Sequence, residues 1–150
     1  MASSRTPAGY LDEHVLDLLD LLRDLVRVDT TNPPGTAYET ITARLLRELN
    51  ETGLRARRLA PTKAQQRAVL PEDQWACPRY NVLGNWRVRG ARRTVHFNAH
   101  YDVVPVSGRW RHDDPFSGVV ERGWIYGRGT ADMKGSIASL LLALRALRAT

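Results

Sequence analysis

Three stretches of this chain repeat their apolar residues at the 3.6-residue period of a helix, and the segments between them do not, and this alternation limits the folds open to it. Val15, Leu18, Leu19, Leu22, Leu25 and Val26 form the first stripe, with Asp17, Asp20, Arg23 and Asp24 falling mostly between them. That pattern predicts a first helix ending before Asp29-Thr30-Thr31-Asn32-Pro33-Pro34-Gly35, where two prolines and a glycine stop a helix and hold an extended turn. A second helix starts near Thr36, with Tyr38, Ile41, Leu45 and Leu49 on its apolar face and Gly53 as terminator. The third carries Ile137, Leu140, Leu141, Leu144 and Leu147 and runs to Thr150. Between the second and third, residues 54–59 alternate as a strand. Residues 80–88 and 93–99, rich in β-branched and aromatic side chains, predict a hairpin turning at Gly90. A further short strand is expected around residues 119–126, interrupted by Gly123. Residues 61–79 hold three prolines and no period, which reads as a loop with room for a short helix over 63–70. Helices alternating with strands give an α/β layer structure.

Size and composition narrow the function classes. At 150 residues, with 43% hydrophobic and 25% charged side chains, one globular domain is the expectation, and no metal or cross-link is needed for stability alone. The apolar-rich stretch 137–144 is far shorter than the ~20 residues that span a bilayer, and the opening Met-Ala-Ser-Ser-Arg-Thr-Pro has no apolar leader, so a cytoplasmic chain away from membranes is expected. Cys77 is the only cysteine, which excludes an internal disulfide and a thiolate-rich zinc site. The net charge of +6 comes almost wholly from arginine, since Lys63 and Lys134 are the only lysines. These arginines are scattered and lack the interleaved aromatics of a single-strand groove, so nucleic acid is not an expected partner.

The residues with chemistry lie between Asn98 and Gly135. His100 and Asp102 are two apart, so on extended backbone they project to one face, and a carboxylate there suits a histidine whose other nitrogen holds a metal. The competing reading is a surface hydrogen bond. The second element is Tyr126-Gly127-Arg128-Gly129-Thr130-Ala131-Asp132-Met133-Lys134-Gly135, where a strand enters a glycine-rich turn before a helix. Asp132 there is either a functional carboxylate or a helix cap. Lysine precedes glycine, so the segment fails the phosphate-loop order, and it fails the dinucleotide fingerprint as well.

Together, His100-Tyr101-Asp102-Val103-Val104-Pro105 and residues 126–135 resemble the paired signatures of the acetylornithine deacetylase and succinyl-diaminopimelate desuccinylase family, which includes aminoacylases and glutamate carboxypeptidases. Thr31 to Gly35, Trp110 and Asp114-Pro115-Phe116 resemble its flanking segments, and Ser136 departs from it where a second glycine is common. The resemblance implies the N-terminal part of a zinc-peptidase-like catalytic domain, a central mixed sheet flanked by helices, with the lid or dimerisation domain and the rest of the catalytic domain outside residues 1–150. It implies a hydrolase of amide bonds in N-acyl amino acids or small peptides, using two zinc ions, with cobalt or manganese as substitutes. His100 would ligate one ion, Asp132 would bridge both, and the catalytic-site carboxylate Asp102 would orient His100. A cis peptide between Asp132 and Met133 is also implied.

The donor supply is short. After Asp132 the chain has no Asp, Glu, His or Cys, and in the family the general-base glutamate, its neighbouring ligand, a further acidic ligand and a C-terminal histidine lie beyond this point. His96 is expected as a packed strand residue, His112 with Asp113 and Asp114 as a surface loop, and His14 as helix surface. These 150 residues are therefore expected to be inactive alone, with homodimerisation a property of a longer chain. The alternative is a non-catalytic, partner-binding domain that keeps the hydrolase fold.

Overall fold

The computed structural model describes residues 6–150; the reading of residues 1–5 as part of a leaderless start lies outside them. Helix α1 (Pro7–Glu13) opens on Thr6, whose hydroxyl accepts the Gly9 N–H, with Pro7 in the first turn where a missing N–H costs nothing. It precedes the predicted first helix, α2 (Val15–Arg27). His14, expected on that helix, is the junction between the two, stacked on Tyr10 at 3.8 Å between ring centroids. Helix α3 (Tyr38–Glu51) follows the proline turn, and strand β1 (Arg55–Leu59) follows α3. The proline segment holds two cis peptides, Asn32–Pro33 and Pro33–Pro34. Helix α4 (Lys63–Val69) fills part of the aperiodic stretch. A capping box explains it: the Thr62 hydroxyl accepts the Gln65 N–H and the Gln65 side chain accepts the Thr62 N–H.

The α/β class holds, with the described strands in two antiparallel pairs plus one parallel bridge between Thr31 and Val103. Strand β2 (Asn81–Asn85) pairs with β1, from Arg55 opposite Asn85 to Leu59 opposite Asn81. The expected hairpin between 80–88 and 93–99 is not formed. Gly90 does turn, at φ +79°, but residues 93–99 are exposed and carry no ladder, with Val95 at 74% and Phe97 at 61% exposure. The turn runs from Val88 to Ala91, so closing that hairpin would set Arg87 opposite Arg92, and like charges across a strand pair are unfavourable. The single strand expected around 119–126 is instead a hairpin of β3 (Val119–Glu121) and β4 (Trp124–Tyr126). Its two-residue turn has positive φ at both Arg122 and Gly123, the twist that suits a tight hairpin.

The core is built from helices. Leu21, Leu22, Leu25 and Val26 of α2 meet Ile41 and Leu45 of α3 and Ile137, Ala138 and Leu141 of α5 (Gly135–Ala149), as the three stripes require. At its edge α3 and α5 are joined by Glu48, buried to 2% exposure and paired with Arg44 of its own helix and Arg145 of α5. Among the described residues no helix is long and apolar enough to cross a membrane. Glu48→Gln removes the charge that both arginines face, and because each arginine keeps some contact with water the cost should be about 2–4 kcal/mol, read as a lower urea midpoint at unchanged slope.

Candidate functional site

Two segments that meet near the N-terminal end of α5 make the site. The first is the run from His100 to Val103, held in place from the proline turn. Val103 donates its N–H to the Thr30 carbonyl at 3.1 Å and accepts the Asn32 N–H at 2.8 Å, while the Thr30 hydroxyl reaches the Tyr101 carbonyl at 2.7 Å. Thr30 is fully buried and Val103 nearly so. Tyr101 anchors the run a second time: its hydroxyl donates to the Tyr80 carbonyl at 2.6 Å and its ring stands edge-on to Tyr38 at 5.0 Å.

The second segment is the turn from Gly127 to Lys134. A β-carbon on Gly127 would lie 2.5 Å from Val26 Cγ1, and one on Gly129, which sits at φ +84°, would lie 2.6 Å from Val103 Cγ1. Glycine at these two positions is what lets the turn approach α2 and the His100 segment. Lys134 is fully buried, and its ammonium donates to the Val28 carbonyl at 2.8 Å, tying the turn to the end of α2. Burial lowers the Lys134 pKa to about 8, with the charge of Asp29 opposing. The peptide between Asp132 and Met133 is cis, as the resemblance implies. Helix α5 begins only at Gly135, and the Asp132 side chain is 87% exposed, so Asp132 is no helix cap.

This arrangement converges on His100. Its Nε2 lies 3.1 Å from Asp132 Oδ1, and its Nδ1 lies 3.1 Å from the Asp102 carbonyl and 3.3 Å from Asp102 Oδ1. Partial burial works against the charged ring, yet hydrogen bonds to the Asp102 carbonyl and the Asp132 carboxylate, and the two negative charges, hold the His100 pKa above the usual histidine range. The backbone N–H of His100 meets Met133 Sδ at 3.4 Å. The three residues singled out from sequence thus stand together.

Two further residues join them without having been singled out. Asn32 Nδ2 lies 2.9 Å from Asp102 Oδ2, and Met133 supplies the sulfur just described. Their only sequence signal is membership of the Thr31–Gly35 and 126–135 motifs.

The other histidines stay apart. His96, expected as a packed strand residue, is exposed on the unpaired 93–99 segment. His112 lies in the loop, with its ring edge-on to Tyr126 at 5.2 Å and its Nε2 at 3.7 Å from Glu121. Among the described residues no three or more His, Cys, Asp or Glu side chains gather as a metal-binding group. The donor set present nevertheless fits a metal in part. Two donors on one tetrahedral zinc, each about 2.0 Å from it, stand roughly 3.3 Å apart, and His100 Nε2 and Asp132 Oδ1 are separated by 3.1 Å.

Known proteins match this chain in the same region. Residues 96–150 match the model for peptidase family M20/M25/M40. The chain is 35% identical to a succinyl-diaminopimelate desuccinylase of Cereibacter sphaeroides over 130 residues, which cover 85% of this chain and 29% of that protein. A desuccinylase of Acidiphilium cryptum is 33% identical over 87% of this chain and 29% of its own length. The N-formyl-4-amino-5-aminomethyl-2-methylpyrimidine deformylase of Bacillus subtilis is 30% identical over 92% of this chain and 30% of its own length. The chain therefore spans under a third of the curated relatives it matches.

One pH dependence follows from the packing around Tyr101. Burial, helped by the charge of Asp102 and opposed by Arg79, pushes the Tyr38 phenol from 10.0 up to about 12. The unfolded chain gives up this proton first, so stability conferred by the neutral phenol is complete below pH 10 and is lost as pH rises toward 12. Tyr38→Phe should flatten that alkaline decline in urea midpoints measured from pH 9 upward.

Proposed function

From the match of residues 96–150 to the model for peptidase family M20/M25/M40, we propose that this chain belongs to that family and supplies the His100–Asp132 half of a metal centre in a hydrolase of amide bonds. The observation that supports this most directly is the approach of His100 Nε2 to Asp132 Oδ1 at 3.1 Å, made by two motifs that are separate in sequence, with Asp102 behind the imidazole. His100 and Asp132 would hold the metal, with Asp132 shared between two ions. Zinc is the metal that an imidazole and a carboxylate suit, and cobalt or manganese would serve in its place. Bound there, zinc polarises an amide carbonyl and lowers the pKa of a water.

The chain's own residues do the positioning. Asp102, whose main-chain carbonyl and carboxylate both face His100 Nδ1, would accept from Nδ1–H and so leave the Nε2 lone pair available to a metal. Asp132 contributes a carboxylate at the mouth of the turn, largely exposed and therefore open to a ligand. The relatives' names describe removal of succinyl and formyl groups, and we assign to the longer protein the same bond class, a small acyl group on an amine or amino acid, with a proton delivered to the leaving nitrogen by a carboxylate beyond residues 1–150. The lid or dimerisation domain and the remainder of the catalytic domain belong to that longer protein.

Zinc titration against a chromophoric chelator tests the metal assignment. His100→Ala and Asp132→Ala should each weaken zinc binding by at least about tenfold, while His96→Ala leaves it unchanged; equal affinities across the set would overturn the assignment. Two donors make an incomplete catalytic centre, so residues 1–150 alone should give no zinc-dependent release of succinate from an N-succinyl amino acid. Turnover abolished by Asp132→Ala would refute the assignment of the remaining ligands to a longer chain.

A further inference from the structure

We propose that Asn32 is a positioning residue for the metal site, a role that rests on the reading of His100 as a metal donor: its side-chain amide fixes the Asp102 carboxylate so that this carboxylate, in turn, fixes the His100 ring. The order of contacts is explicit. Asn32 Nδ2 is 2.9 Å from Asp102 Oδ2, the other carboxylate oxygen is 3.3 Å from His100 Nδ1 beside the Asp102 main-chain carbonyl at 3.1 Å, and His100 Nε2 is 3.1 Å from Asp132 Oδ1. A carboxylate only accepts, so the amide nitrogen of Asn32 is the atom that faces it.

Three features make this contact more than a neighbour's hydrogen bond. First, Asp102 has two oxygens with different tasks, and a donor held on Oδ2 stops the carboxylate rotating its better-placed oxygen away from the ring. Second, Asn32 is itself fixed at the main chain, since its N–H donates to the Val103 carbonyl at 2.8 Å within the Thr31–Val103 bridge. The amide therefore approaches Asp102 from backbone that is registered to the residue after it. Third, the turn that follows is braced from outside: the Arg79 guanidinium donates to the Pro34 carbonyl at 2.7 Å and to the Gln74 side chain at 2.9 Å, and its charge lies 5.2 Å from the Tyr38 ring centre. A side chain held at both ends of its segment presents its donor at small entropic cost, which is what a residue acting through another must do.

The test uses the whole chain and two readouts. Asn32→Leu keeps the volume and removes the donor, and Asn32→Ala serves if leucine unsettles the turn; urea midpoints show which variants are folded. In metal-free protein, at a pH where the imidazole is neutral, nitrogen-15 chemical shifts of His100 report which ring nitrogen carries the proton. The Nδ1–H form should dominate in the parent chain and decline in the Asn32 variants, without vanishing, because the Asp102 main-chain carbonyl still accepts from it. Zinc affinity should fall about tenfold, the lower end for loss of a residue behind a metal ligand. Both effects should disappear when Asp102 is already alanine, because Asn32 then has nothing to act through. An unchanged Nδ1–H population in a folded Asn32 variant overturns the inference, as does a zinc effect that persists in the Asp102→Ala background. Zinc binding that depends on His100 but not on Asn32 removes this inference and leaves the functional reading; no zinc affinity in the parent chain removes the functional reading, and the nitrogen-15 shifts alone then decide the role of Asn32.

Discussion

The stitch between residues 30–32 and 101–103 is the constraint on which the site depends. Two main-chain hydrogen bonds and the Thr30 hydroxyl join backbone lying about 70 residues apart in sequence, with Thr30 excluded from water. Buried N–H and C=O groups must find partners, and here each segment satisfies the other. His100 follows a segment that has no ladder of its own, so this stitch and the Tyr101 anchor are what set the direction in which it points. The helical core secures the other side. Val26 leaves no room for a side chain at Gly127, and Lys134 ties the glycine turn to the Val28 carbonyl just past α2. Asp132 is thereby referred to the same helix that precedes the Thr30 segment.

The buried ions divide the remaining work. Glu48 joins α3 to α5 through two arginines, and Lys134 reaches a single carbonyl. Among the described contacts neither is bonded to the imidazole. Polar groups buried for architecture are thus kept apart from those placed for chemistry, and the latter stay accessible: His100 retains half its side-chain exposure and Asp132 most of it.

The three helices of the core were legible because their stripes obey one period and bury one face each, from Leu21 to Val26, from Tyr38 to Leu45 and from Ile137 to Leu141. Strand β1 was legible from its alternation. The partner of β2 was not, since pairing is a non-local choice and Gly90 turns whether or not its flanks pair. Nor was α1 visible, a helix of seven residues without a buried side chain. At the site, His100, Asp102 and Asp132 stood out only when their two motifs were read together as resembling paired family signatures, since singly a surface hydrogen bond and a helix cap explained them as well. Asn32 did not, because an asparagine in a proline turn has an ordinary explanation as a turn former. Only the geometry shows that its amide is spent on a carboxylate 70 positions away.

The length of the stitched excursion has an evolutionary consequence. The entropy of closing a loop grows only with the logarithm of its length, about 0.6 kcal/mol for each doubling. Between Asn32 and Asp102 the chain can therefore gain or lose residues in the α4 region or around Gly90 with little effect on the joint that orients the imidazole. The ten positions from Tyr126 to Gly135 have no such latitude, because a strand end, three close glycine contacts, a cis peptide and a buried ammonium follow one another without slack. Length variation among descendants of this chain should accumulate inside the excursion and stop at the turn.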